Sequence, residues 1–321
     1  MNRTARRYVL LALGLAVGLA GGVALLNFIV DPYNRYGNNH LGVYISAERE
    51  CKSTYITRFS HDALLVGNSR EIRIPPAQLE GFRFFNGAFS GATPEEIYFF
   101  LEHFAPHQRL IVLAVDVGEQ DPAERHGDIF AAKGLVSALN NLLNLQTVEY
   151  SIRTIAESWS KHPQPIGLDG LVPVGSSMLD ADRNDPQQEA YRIKAMQQMW
   201  VGYHCPPMEQ MSFYVRIGEC LRQRGIPCVV VIPPIQEAVA QSAQSGATAA
   251  EVVAWKRQLG TIFPHVIDLS FSSYDAATNF YRADPMHFKP DVGVRFMNTD
   301  VLPFATRTLR EIPPPAATER R

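Results

Sequence analysis

Ala63-Leu64-Leu65-Val66-Gly67-Asn68-Ser69-Arg70 is an apolar run of mostly branched side chains that stops at a glycine followed by small polar residues. A run of this kind reads as a strand buried on both faces, as in a parallel sheet, and its stop places Ser69 at the carboxyl edge of that sheet. Open α/β sheets carry their ligands and their chemistry along this edge. A serine hydroxyl is a weak nucleophile unless a base reaches it and a third group holds the base in the right tautomer. The chain offers that pair far downstream in Asp284-Pro285-Met286-His287, on a segment expected to be a loop leading into a helix.

Outward from this stretch, apolar runs alternate with helical periodicity. After Ala63 to Gly67, strands are expected at Phe82-Arg83-Phe84-Phe85-Asn86, Leu110 to Val115, Cys228 to Ile232 and His265 to Leu269. Thr93-Pro94-Glu95-Glu96 is a helix start, with a capping threonine, proline in the first turn and acids at the positive end of the helix dipole. Further helices are expected over Met208 to Arg224, Ala249 to Leu259 and Pro290 to Thr306. This alternation predicts an α/β domain with a five-stranded parallel sheet and crossover helices. Between Gly118 and about Pro207 the alternation pauses. That insertion of two or three helices, including Gly134 to Leu145 and Thr147 to Trp159, leaves the carboxyl end of the third strand. It is placed either to recognise substrate or to dock on a membrane or partner. Its Trp200 and Tyr203 are candidates for ligand contact.

Arg3, Arg6 and Arg7 precede an uncharged apolar run from Tyr8 to Val30. As a helix it spans roughly 34 Å, against a bilayer hydrocarbon core of about 30 Å. The basic end is predicted to stay in the cytoplasm. That makes the chain a single-pass protein of the cytoplasmic membrane whose remainder faces the periplasm or cell exterior, with lipid as a partner of residues 8–30. A cleaved signal peptide ending near Gly18-Leu19-Ala20 is the competing reading; the continuation of the run through Phe28-Ile29-Val30 favours an uncleaved anchor. Gly14, Gly18 and Gly22 lie on one face of this helix, and we read them as the ordinary glycine content of membrane spans. Asp31-Pro32-Tyr33-Asn34-Arg35-Tyr36-Gly37 then forms a turn-rich collar whose tyrosines suit the membrane interface.

A net charge of −2 over 321 residues, with no long basic block, gives no support for nucleic-acid binding. Four cysteines, Cys51, Cys205, Cys220 and Cys228, lie beyond the anchor, where an oxidising compartment permits disulfides of undetermined pairing. No metal is expected, because their spacing lacks the paired CxxC or HExxH patterns.

The blocks fall in a telling order: serine after the first strand, a glycine turn after the second, and Asp-x-x-His after the last. In this the chain resembles the SGNH (GDSL-type) hydrolase family, and more closely its membrane-anchored cell-envelope esterases and O-acyltransferases. The resemblance covers about Ala63 to Phe304, with the insertion poorly matched. It implies a flavodoxin-like three-layer α/β/α fold with a five-stranded parallel sheet (the SGNH hydrolase fold), preceded by one N-terminal transmembrane helix. On this reading residues 1–30 are tip and anchor, 31–62 the collar, 63–310 the catalytic domain with its insertion at about 118–207, and 311–321 a disordered tail. The resemblance also implies Ser69 as nucleophile, His287 as base, Asp284 as its orienting acid, and no cofactor. In Phe85-Asn86-Gly87-Ala88-Phe89-Ser90-Gly91-Ala92 the oxyanion-binding backbone N–H falls on Gly91, with Gly87 as second choice. The aspartate that usually precedes the serine is Asn68 here.

The third block departs from the family. Its usual Gly-x-Asn supplies a side-chain amide to the oxyanion, whereas this chain has Asp116-Val117-Gly118-Glu119-Gln120. Losing one such donor typically costs on the order of 100- to 1000-fold in rate. Three explanations stand open: Gln120 or Asn86 substitutes as donor, Asp116 turns away into a structural hydrogen bond, or the site is weakened or inactive. Arg70 either binds an acidic group of the substrate or pairs with Asp116 or Glu71, and the structural role is favoured. The expected function is a serine esterase or O-acyltransferase acting on acyl groups, acetyl foremost, of cell-envelope polysaccharide, with a membrane acyl-transfer or export protein as a candidate partner. The alternatives are an inactive accessory of the same fold that binds glycan or a membrane partner in polysaccharide export, and a lipid thioesterase or lipase.

Overall fold

The computed structural model describes residues 2–41, 48–106, 108–119, 121–131, 135–159, 166–174, 186–200, 205–244, 246–282 and 284–311. The tail expected at 311–321, all but its first residue, lies outside the described residues, as do Gln120 and Tyr203. The chain divides into two compact units: Met1–Thr54 with Phe130–Ile166, and Tyr55–Ile129 with Gly167–Arg321. The insertion after the third strand is therefore shared between them.

The first unit is helical. α1 (Arg3–Val30) is capped by the Asn2 side chain and ends at Asp31, which turns left-handed at φ 45°. The Asp31 carboxylate then accepts the backbone N–H groups of Arg35, Tyr36 and Asn38, so one side chain folds the collar. α1 is long and apolar enough to cross a membrane. α2 (Glu48–Tyr55) follows, and α4 (Leu135–Leu143) and α5 (Leu145–Ser158) pack against α1.

The second unit is α/β. β1 (Ala63–Val66), β2 (Phe84–Asn86), β3 (Leu110–Ala114), β4 (Cys228–Ile232) and β5 (Val266–Asp268) form one parallel sheet in the order β2-β1-β3-β4-β5. Ala63 sits opposite both Phe84 and Leu110, so β1 is an interior strand, hydrogen-bonded on both sides. Every residue of β1 and β3 is buried, which explains why these segments read as continuous rather than alternating apolar runs. The order reverses between β1 and β3, and the loops leaving these two strands flank the switch point where such sheets open a crevice.

Helices follow the strands: α3 (Pro94–Phe104), begun by the Thr93–Glu96 capping box, then α6 (Pro186–Trp200), α7 (Ser212–Gln223), α8 (Glu237–Ala243) and α9 (Gly246–Ile262). α6 begins at Pro186, where the loop-rich piece expected from His162 ends, and no helix range is assigned there from sequence. Its start at Pro186 and its run of good helix formers from Gln187 to Met199 were the available signal. The chain closes with α10 (Pro290–Phe296), a wider π turn over Met297–Val301, and α11 (Leu302–Glu311). Pro303 accounts for that turn, because it lacks an N–H and its ring crowds the carbonyl four residues earlier.

Asp284 and His287 do not lie on a loop. β7 (Asp284–Phe288) pairs antiparallel with β6 (Phe280–Tyr281) in a separate two-stranded sheet with an irregular register. Phe280 of β6 and Phe288 of β7 are buried in the same core as Ala63, Leu65, Val112, Val231, Phe296 and Ala305. This apolar side anchors the hairpin. Phe296 stacks edge-on against Phe288, with ring centroids 5.3 Å apart, and it is 2% exposed. Phe296→Ala is expected to destabilise this unit by about 3–5 kcal/mol, read as a lowered midpoint of urea unfolding.

Candidate active site

The turn after β1 is shaped by close approach. A side chain on Gly67 would put its Cβ 2.6 Å from Glu71 Oε2 and 2.9 Å from Ala114 Cβ, so only glycine fits. Glu71, 2% exposed, uses that oxygen to accept the Asn68 N–H at 3.2 Å, while Asn68 Oδ1 accepts the Arg70 N–H at 3.0 Å. These bonds hold the turn and leave Ser69 half-buried between two fixed neighbours.

Ser69 Oγ lies 2.9 Å from His287 Nε2, and His287 Nδ1 lies 2.8 Å from Asp284 Oδ2. Burial pushes the Asp284 carboxyl up, but the hydrogen bond and charge of His287 outweigh it, and the net pKa lies below the ordinary carboxylate value. An ionised Asp284 accepts the proton on Nδ1. That leaves Nε2 as the acceptor for the serine hydroxyl, the tautomer a general base needs.

Arg70 is the second feature of the site. Its guanidinium donates to Asp116 Oδ1 at 2.6 Å and to the carbonyl of Pro234, and it stands 5.5 Å from the centre of the Phe288 ring. Asp116 also accepts from Asn68 Nδ2 at 2.7 Å. The residue in the third-block position is thus committed to an ion pair and a hydrogen bond, and Arg70 pairs with Asp116 rather than with Glu71.

Asn86 does not serve as a substitute oxyanion donor. It is fully buried, and its amide donates to the carbonyls of Glu71 at 2.8 Å and Ile74 at 3.0 Å. Both hydrogens are spent stapling the serine turn to β2. Gly91 lies on the loop after β2 in the left-handed region, φ 61°, where glycine is favoured. That loop is laid along the serine turn by the Phe89 N–H to Gly67 carbonyl bond of 3.2 Å. Among the described residues the backbone N–H groups of Ser69 and Gly91 meet no acceptor. Gln120 and the Trp200 side chain lie outside what the structure describes.

Two acids were not singled out from sequence. Glu71, enclosed and close to Asp116, is pushed up to about 8, with Arg70 only partly offsetting the burial. Glu119 accepts the Asp116 N–H at 3.1 Å and is raised to about 8 by burial and by Asp116. Their adjacency to Arg70 and Asp116 in sequence was the only clue. Beside the triad opens a cleft of about 270 Å³ whose walls include Asn68, Arg70, Val117, Met196, Val239 and Met286. Among the described residues no group of three or more His, Cys, Asp or Glu side chains is arranged to hold a metal. All four cysteines are free thiols. No protein-family model matches the chain, and a search of curated proteins finds no match.

Arg70→Met removes the cation from this buried set and is expected to cost about 3–5 kcal/mol, measured by chemical unfolding. The Glu71 carboxyl has a folded pKa of about 8 against an ordinary 4.5. Below the ordinary value the folded and unfolded chains are both protonated and its stabilising contribution is complete; it is lost as pH rises toward 8. Stability is therefore expected to fall over that window, and Glu71→Gln to flatten the fall and leave the variant more stable than wild type at pH 8.

Proposed function

We propose that this chain is a membrane-anchored, outward-facing serine esterase or O-acyltransferase with the three-layer SGNH fold, acting on acyl esters of cell-envelope polysaccharide. The observation that carries the reading is the continuous Ser69–His287–Asp284 relay, with contacts of 2.9 and 2.8 Å. Ser69 attacks the ester carbonyl as His287 takes its proton. The imidazolium, held by Asp284, then protonates the leaving alcohol, and water or a sugar hydroxyl resolves the acyl-enzyme. The developing oxyanion is met by the backbone N–H groups of Ser69 and Gly91. The strand order, with Ser69 and Asp116 flanking the switch point, supports the fold assignment, and α1 supports the tether. The acetyl group and the glycan rest on family resemblance.

A second reading is favoured by one observation. Asp116 is ion-paired and the Asn86 amide is spent, so neither of these residues supplies a side-chain amide to the oxyanion. On that reading the protein is an inactive accessory that binds glycan or a membrane partner in export.

Turnover of chromogenic acyl esters and of acetylated glycan by the full chain in detergent separates the two. We expect hydrolysis that falls by about 10⁴-fold or more in Ser69→Ala and in His287→Ala. Folded protein that turns over no ester supports the accessory instead.

A further inference from the structure

α5 is built inside out. Its buried positions are Thr147, Ser151 and Thr154, which are small and polar, while Leu145 is 80% exposed, Ile152 58% and Trp159, just past its end, 81%. At 3.6 residues per turn, Leu145, Ile152, Ala156 and Trp159 fall within an arc of roughly 60°. Glu149, Arg153 and Glu157 form a separate polar stripe, with Arg153 and Glu157 paired at 3.6 Å. α4 adds Leu139 and Leu143, each 47% exposed. In water a helix buries its leucines and exposes its threonines, so this face is made for another solvent.

The depth of the hairpin names that solvent. Asn27 donates its amide to the Leu142 carbonyl at 2.8 Å, and Ser151 Oγ donates to Asn27 Oδ1 at 2.8 Å. Tyr150 meets Tyr33 edge-on at 5.7 Å. Along α1 only Val23, Ala24, Leu26, Asn27 and Val30 lose exposure, and everything before Val23 is bare. The hairpin thus covers the last two turns, about 12 Å of helix. With the apolar run filling a bilayer of about 30 Å, those turns lie at the boundary of head groups and acyl chains. Amphipathic interfacial helices bury their apolar faces about 5–10 Å into that boundary.

We propose that α4 and α5 form a second membrane-binding element, lying in the outer leaflet's interface with Leu139, Leu143, Leu145, Ile152 and Trp159 in contact with lipid. Glu149, Arg153 and Glu157 face water. Ser151 meets α1 where the Asn27 amide needs partners inside an apolar environment. The inference depends on α1 spanning the bilayer and is independent of any catalytic role.

The test uses the full chain in lipid nanodiscs, with a polarity-sensitive fluorescent amino acid placed by codon suppression at residue 145, 152, 149 or, as a control for the span, 15. Residues 145 and 152 are expected to emit to the blue of residue 149 and to be quenched several-fold more by lipids bearing a nitroxide near the head of the acyl chain. Quenching at residue 15 with water-like, unquenched emission at 145 and 152 overturns the proposal while leaving the span intact. A blue shift at 145 and 152 without lipid quenching, growing with protein-to-lipid ratio, assigns the face to a second copy of the chain and also overturns it. Loss of quenching at residue 15 removes the span itself and the proposal with it.

Discussion

One guanidinium fixes the geometry of the candidate site. Arg70 leaves the turn after β1, binds Asp116 beyond β3, reaches the Pro234 carbonyl beyond β4 and stands over Phe288 on β7. Four segments of the carboxyl edge are thereby tied through one planar, multidentate cation, a task to which a lysine point charge is unsuited. Ser69 precedes this residue and His287 precedes Phe288. Holding Arg70 against that ring therefore sets the distance between hydroxyl and imidazole. The cation also serves an acidic surrounding of Asp116, Glu71 and Glu119, where burial first and the Asp116 charge second leave Glu71 and Glu119 raised to about 8 despite the guanidinium. A carboxylate at position 116 belongs to the same design, since Asp116 is the anchor of the guanidinium.

The sheet was legible because burial on both faces leaves a plain mark: β1 and β3 are uninterrupted, fully buried apolar runs and β4 nearly so, while β2 and β5 are short apolar pieces that end in Asn86 and Asp268. The pairing of Ser69 with Asp284 and His287 was legible as an order of blocks along the chain. Its secondary structure was not, because Asp284-Pro285-Met286-His287 has neither alternation nor β-branched residues and becomes a strand only through Phe280, Tyr281 and Phe288 sinking into the core. α6 was missed because its apolar residues form no clean stripe, although its propensity is high. The role of Asn86 was illegible: a buried amide looks the same in sequence whether it points at a substrate or at the carbonyls of Glu71 and Ile74. The reach of Arg70 to Pro234 spans 164 positions, and nothing local announces such a contact.

The two units bury different kinds of side chain. In the α/β unit the sheet buries Leu65, Val112 and Val231 on one face and Leu64, Ile111 and Val230 on the other, the ordinary arrangement in water. In the helical unit the polar groups turn inward, Asn27 to Ser151 and to the Leu142 carbonyl, and the large apolar side chains turn outward. The chain leaves β3, builds α4 and α5 and returns to the α/β unit, so the two units are joined at two crossings of the backbone in this region.

Reaction of the folded full-length protein with a fluorophosphonate, followed by peptide mass mapping, tests the central claim most directly, because the reagent phosphonylates a serine only when a base activates it. The account predicts one adduct, on Ser69, that forms in wild type and fails to form in folded His287→Ala. A folded wild type that stays unmodified, an adduct on another residue, or a His287→Ala variant that reacts as fast as wild type would contradict it.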